Sequence, residues 1–84
     1  MIWHLVWSAR ALKDIDRLTP KNQDLVMAAL GRFAETGYGD LQRLHGVERE
    51  YRLRTGDYRV RLTLDFSGRN ADVLRVAHRR EAYR

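Results

Sequence analysis

The sequence contains no cysteine and a single proline, Pro20. Without cysteine there is no disulfide framework and no thiolate metal site, and the chain suits a reducing compartment. No apolar run reaches the roughly 20 residues that cross a bilayer. Met1-Ile2-Trp3-His4 leads directly into a strand-like pattern, with no basic segment followed by an apolar run as in a leader peptide. A cytoplasmic protein with no membrane partner is expected. Histidine is scarce, and His4, His45 and His78 stand far apart without ligand spacing. No acidic cluster accompanies the basic residues, so neither a metal nor a cofactor is expected. No Gly-rich loop precedes a helix, which argues against nucleotide hydrolysis of the P-loop type. No serine sits in a nucleophile setting. Repeats and low-complexity tracts are also missing, and 84 residues make one domain, 1–84.

What is present is arginine, unevenly placed. Residues 1–42 carry five basic and five acidic side chains. Residues 43–84 carry 11 arginines, no lysine and six acids, so the whole +5 excess lies there. Such asymmetry points to a polyanion or an acidic partner. Arginine in place of lysine favours forked phosphate contacts and stacking on bases.

The arginines concentrate in Tyr51–Arg61, Y-R-L-R-T-G-D-Y-R-V-R. Side chains of a strand alternate between faces. Tyr51, Leu53, Tyr58 and Val60 therefore share an oily face, and Arg52, Arg54, Arg59 and Arg61 share the other. Thr55-Gly56-Asp57 forms the turn, where glycine admits the conformation a tight hairpin needs. Four guanidinium groups of one sign repel one another, and a fixed phosphate is the usual reason to gather them.

The remaining pattern gives the fold class. Ile2–Trp7 predicts a strand with apolar residues on both faces, as in an internal strand. Ser8 is an N-cap, and Ala9–Leu18 predicts a helix with Leu12, Ile15 and Leu18 inward. Thr19-Pro20 starts a second helix, with Val26, Ala29, Leu30 and Phe33 inward and Gly37 at its end. With almost no loop between them, the two helices form an antiparallel hairpin. Tyr38–Glu50 is read as a connecting segment anchored by Leu41 and Leu44, with a turn at His45-Gly46. The second strand of the central hairpin continues through Leu62 and Leu64 to Phe66, and Ser67–Asn70 turns. Asp72–His78 is the last strand, with Leu74, Val76 and His78 on one face and Val73, Arg75 and Ala77 on the other. Arg79 falls with Arg75 by the same alternation, and Arg79–Arg84 is a short charged tail that forms either a helical turn or a loose end. The class is α+β: a strand, a helical hairpin, then a three-stranded antiparallel meander with arginines on its open face.

An arginine face with His78, Arg79 and Tyr83 lends itself to RNA chemistry. RNA carries its own nucleophile, the 2′-hydroxyl. Cleavage needs that hydroxyl aligned, the extra negative charge stabilised and two protons moved. Arginines stabilise charge and stay protonated, so they are poor bases. His78 or Tyr83 would move the protons.

These residues resemble the RelE/ParE superfamily of toxins of type II toxin–antitoxin systems, on the RelE side. The resemblance rests on L-x-x-L-x-G at Leu41–Gly46, Y-R-L-R-T-G-D-Y-R-V at Tyr51–Val60 and V-A-H-R-R-E-A-Y-R at Val76–Arg84. It implies a RelE-like fold and an mRNA endoribonuclease that acts in the ribosomal A site. Such an enzyme leaves a 2′,3′-cyclic phosphate without metal and is neutralised by a cognate antitoxin. It also implies a toxin–antitoxin hetero-oligomer that binds operator DNA through the antitoxin. Arg52 and Arg54 match positions where relatives often carry phosphate-contacting lysines. Arg59 matches an arginine on the scissile phosphate, Arg79 one that stabilises charge or protonates the leaving group, and Tyr83 a base-stacking or proton-accepting tyrosine. His78 carries no role over from the family; it joins Arg59, Arg79 and Tyr83 as a catalytic candidate on its own chemistry. Arg61 and Arg75 join Arg52 and Arg54 as phosphate binders by shared face. Arginine at 52 and 54 removes a lysine general base. Two alternatives share the fold: a ParE-like inhibitor of DNA gyrase that cuts nothing, and an attenuated member kept for antitoxin binding.

Overall fold

The computed structural model describes residues 2–46 and 49–82, the side chain of Ala82 excepted. The elements are β1 (His4–Trp7), α1 (Ala9–Asp16), α2 (Pro20–Thr36), β2 (Leu41–Arg43), β3 (Glu50–Thr55), β4 (Tyr58–Asp65), β5 (Asn70–His78) and α3 (Arg79–Ala82). The strands form one sheet in the order β1-β5-β4-β3-β2. β1 runs parallel to β5, and the other neighbours are antiparallel.

The helical hairpin forms as its caps predict. Ser8 Oγ accepts from Ala11 N–H at 3.0 Å and opens α1. Thr19 caps α2, Pro20 occupies its first turn, and Gly37 closes it at φ 76°, a conformation that suits glycine. Val26, Leu30 and Phe33 of α2 are buried against Leu53, Val60, Leu62, Leu64, Ala71 and Val73 of the sheet. This is a two-layer α+β domain with its core between α2 and one sheet face.

The structure corrects the sequence reading in several places. Leu41–Arg43, read as part of a connection, is a strand paired with β3 through Leu41–Leu53 and Arg43–Tyr51. Three residues are too few to show a period of two. β1 is an edge strand, with His4 and Val6 exposed, and not an internal one. β5 does not alternate throughout. Arg61 pairs with Arg75 but Leu62 pairs with Val73, so Leu74 is an inserted, bulged residue. Val73 and Val76 therefore both face the core, and Val73 leaves the face on which simple alternation puts it. α1 ends at Asp16, and its buried residues are Ala11 and Asp14, while Leu12 is exposed. Phe66 lies beyond β4 and is exposed, while the last strand ends at His78 as expected and Arg79 opens the helical turn α3, the first of the two forms read for the tail.

Asp14 explains the rotation of α1. β1 covers β5 only as far as Val73. Beyond it the outer edge of β5 has no strand neighbour among the described residues, and α1 supplies the missing partners. Ser8 Oγ donates to Leu74 O at 2.9 Å, and Val76 N–H donates to Asp14 Oδ2 at 2.9 Å. A buried backbone N–H needs an acceptor, and the helix turns a carboxylate inward to provide one.

Candidate functional site

The site is built on β3, β4 and the start of α3. Register places Arg52 beside Arg61 and Arg54 beside Arg59. All four alternate with the core-facing Leu53 and Val60, so they occupy the sheet face away from α2. The hairpin loop is Gly56-Asp57, between the paired Thr55 and Tyr58. Gly56 takes φ 55° at the first loop position, as a II′ hairpin requires. This turn gathers the site. Arg59 Nη1 donates to Gly56 O at 3.0 Å and Tyr58 O at 2.9 Å. Arg79 N–H donates to Asp57 O at 2.7 Å, and Arg79 Nε lies 3.7 Å from Asp57 Oδ1. Arg59 and Arg79, 20 positions apart in the chain, thus hold one two-residue loop.

The face is not of one sign, contrary to the alternation argument. Glu50 lies on it, is buried and pairs with Arg61. Asp40 holds Arg54 through Nε and Nη2, each at 2.9 Å. Asp14 Oδ2 accepts from Arg75 Nε at 2.9 Å, and Asp57 faces Arg79. Arg59 differs: it is held by carbonyl oxygens and makes no ion pair among the described residues. Its buried Nε has no hydrogen-bond partner among them.

The other predicted residues separate. Arg75 is Cα partner to Arg61, yet its side chain turns to the sheet edge and Asp14. His78 pairs with Tyr58 and shares the core-side face with Val76. Its ring stands edge-on to Tyr58 with centroids 5.5 Å apart, and Nδ1 accepts from Arg80 N–H at 3.3 Å. Arg75 and His78 line a groove of about 300 Å³ with Arg10, Arg17 and Asp14, beside α1 and apart from the hairpin arginines. Tyr83 lies outside the described residues. Among those described, no group of three or more His, Cys, Asp or Glu is arranged to hold a metal ion. No helix among them is long and apolar enough to cross a membrane. Sequence reasoning missed Glu50 and Asp14 as partners of the arginines. Glu50 was legible, because it alternates with Arg52 and Arg54. Asp14 was not, because its partner lies 61 positions away.

Comparison with solved structures gives the same architecture. The toxin–antitoxin complex RelBE2 of Mycobacterium tuberculosis contains a chain similar at TM-score 0.80 and 22% identity, over 93% of this chain and 99% of that one. The archaeal RelE–RelB complex of Pyrococcus horikoshii gives 0.81 and 18%, over 96% and 99%. The isolated RelE toxin of E. coli gives 0.78 and 21%, over 96% and 90%. At these identities the likeness is one of fold. Among curated proteins there is no significant sequence match. Residues 5–83 match the family described as the ParE toxin of type II toxin–antitoxin systems, parDE. With that match across nearly the whole chain, and with the RelE-like fold beneath it, the chain belongs to the RelE/ParE superfamily of type II toxins.

Proposed function

We propose that this toxin is a ribosome-dependent mRNA endoribonuclease, neutralised by a cognate antitoxin. One observation carries the reading. Arg59 is a guanidinium fixed by two carbonyls and balanced by no carboxylate among the described residues, on the face that also presents Arg52 and Arg54. A fixed, uncompensated cation is suited to an anion whose charge grows during reaction. In this reading Arg59 holds the scissile phosphate, with Arg52 and Arg54 beside it. The 2′-oxygen attacks phosphorus, its proton passes to a base, and the 5′-oxygen leaves with a proton. The products are a 2′,3′-cyclic phosphate and a free 5′-hydroxyl. Arg79, anchored to the same turn, stabilises the leaving oxygen. His78 faces the other side of the sheet, so it reaches the phosphate only around the strand end. That leaves Tyr83 as the stronger candidate for proton transfer. The chemistry as proposed uses no metal, and the setting is the cytoplasm.

A second reading has its own support. The matching family is described by ParE, and Arg54, Arg61, Arg75 and Arg79 all meet carboxylates within the chain. A face so balanced also suits a surface that binds DNA gyrase and cuts nothing. One experiment divides the two: a translation extract programmed with a defined messenger, with primer extension after adding the toxin. Breaks inside ribosome-occupied codons, absent without ribosomes and lost in Arg59→Ala and Arg79→Ala, are expected. Intact messenger with arrested gyrase supercoiling reverses the assignment.

A further inference from the structure

At the far end of the sheet from the arginine turn lies a second site. A pocket of about 290 Å³ opens between the C-terminal end of α2 and the sheet. Its walls are Trp3, Phe33, Tyr51, Leu64 and Phe66, with Arg69 at its margin. The aromatic rings brace one another. Trp3 stacks on Phe33 at 5.5 Å, and Phe66 stands edge-on to Trp3 at 5.3 Å and to Tyr51 at 6.3 Å. The surround is apolar too. Phe66 is 62% exposed, and Ile2 and Tyr38, chain neighbours of the lining residues Trp3 and Gly37, are 68% and 77% exposed. Apolar exposure gathered around a preformed pocket marks a protein-binding site. Arg69 makes no ion pair among the described residues, and it adopts φ 54°, a conformation uncommon outside glycine.

Three features select the occupant. The volume is at the lower bound of small-molecule sites, about 300 Å³, which suits one large side chain. Metabolite sites and nucleobase sites use several convergent polar groups to fix orientation. Here the walls are aromatic and aliphatic, and Arg69 is the one charged residue among the described lining residues. The third feature is charge. The chain carries a net +5, so an acidic segment is drawn to it, and Arg69 stands where a carboxylate next to the inserted side chain would arrive.

We propose that this pocket is an anchor site for an acidic segment of the antitoxin. One aromatic or branched aliphatic side chain enters among Trp3, Phe33 and Phe66, and a neighbouring Asp or Glu pairs with Arg69. The inference rests on the toxin–antitoxin reading. It adds that part of the partner's hold lies on the face opposite the arginines, at the other end of the sheet. An inhibitor seated there leaves the arginine face to a second segment.

The probe is the polypeptide product of the neighbouring reading frame, fluorescently labelled, with affinity measured for the full-length toxin and its variants. Phe66→Ala and Arg69→Glu are both exposed changes, and the second keeps a side chain at the same backbone position. Each is expected to weaken binding about tenfold or more, the scale for losing an interface anchor. Leu12→Ala, an exposed apolar change on α1, is expected to leave affinity unaltered. Thermal melting verifies that each variant is folded. Full affinity in both Phe66→Ala and Arg69→Glu overturns the site. So does a concentration-dependent toxin dimer that Phe66→Ala abolishes, because the occupant is then a second copy. Wild-type toxin that does not bind the probe refutes the antitoxin reading itself, and a bound probe with unaltered variants refutes the pocket alone.

Discussion

Replacing Asp14 by alanine tests how the structure assembles its last strand. Asp14 is 7% exposed, and one oxygen, Oδ2, accepts both Val76 N–H and Arg75 Nε at 2.9 Å. Truncation removes two bonds at Oδ2 and a longer ion pair from Oδ1 to the exposed Arg10 at 3.7 Å, which counts for little. The Val76 N–H bond is buried, and an orphaned buried donor costs about 1–3 kcal/mol. The Arg75 side chain is 39% exposed, so once released it is rehydrated, and that pair counts for about 1 kcal/mol or less. The sum is about 1–4 kcal/mol. In a domain of this size each kcal/mol moves Tm by roughly 4–8 °C, so Asp14→Ala should melt about 4–30 °C lower. Asp14→Asn keeps an acceptor for Val76 and loses only the charge, and should cost about 1 kcal/mol. Urea titration followed by circular dichroism supplies both values. A loss within about 0.5 kcal/mol for alanine, the scatter of surface changes, would refute the edge-capping role. Equal losses for alanine and asparagine would show that charge, and not the backbone acceptor, is what β5 requires.

Two further outcomes follow from the turns. In Gly56→Ala the new Cβ meets Leu25 Cδ2 at 2.9 Å and the residue must hold φ 55°, so stability should fall by about 1–2 kcal/mol, read as a lower Tm. At the other hairpin Asp65 Oδ1 accepts from Ser67 Oγ, Ser67 N–H and Gly68 N–H. The Ser67 hydroxyl first, and then the Gly68 amide, hold its carboxyl below the usual aspartate range. A depressed folded-state pKa means this contribution is present above the unfolded-state value and disappears as pH falls through the folded one. An NMR titration of the Asp65 carboxyl should show a midpoint below the ordinary value that rises toward it in Ser67→Ala; a midpoint indifferent to Ser67 contradicts the assignment.

The parts of the fold that were legible are those with local causes. Ser8, Thr19-Pro20 and Gly37 bound two helices because caps act within a turn of the chain. The Tyr51–Arg61 hairpin was legible because alternation and a turn glycine agree. What escaped depends on distant partners. β2 is too short to display a period, and β3 alone makes it a strand. The bulge at Leu74 shifts every later side chain of β5 by one step, and nothing in Asp72–His78 announces it. The inward turn of Asp14 depends on where β1 stops along β5. For the site, Arg59 and Arg79 were legible as types, but their meeting on Gly56-Asp57 was not, since it needs β5 to run antiparallel to β4 and end at the loop.

The acids revise what the arginine face can do. A one-sign face would offer every guanidinium to a phosphate. In the folded chain five of these arginines fall into three states. Arg61 and Arg75 are tied to Glu50 and Asp14, both buried. Taking Arg61 away would leave the buried Glu50 without its guanidinium, and taking Arg75 away would leave the buried Asp14 to Val76 N–H and the longer Arg10 contact, losses that fall on a buried carboxylate and not on an exposed one. Arg54 and Arg79 pair with Asp40 and Asp57, which are exposed, and exposed pairs are worth about 1 kcal/mol or less. A phosphate can displace those two acids at little cost. Arg59 needs no displacement. The direct cross-strand opposition of Arg61 and Arg75 fits the same account: two like charges at adjacent positions repel, and each is drawn to its own buried acid on a different side. Under the nuclease reading, then, Arg59, Arg54 and Arg79 join Arg52 as the part of the set that meets RNA, while Arg61 and Arg75 shape the sheet that carries it. The salt dependence of RNA binding should accordingly reflect the smaller set, since each phosphate neutralised adds to the slope of affinity against salt.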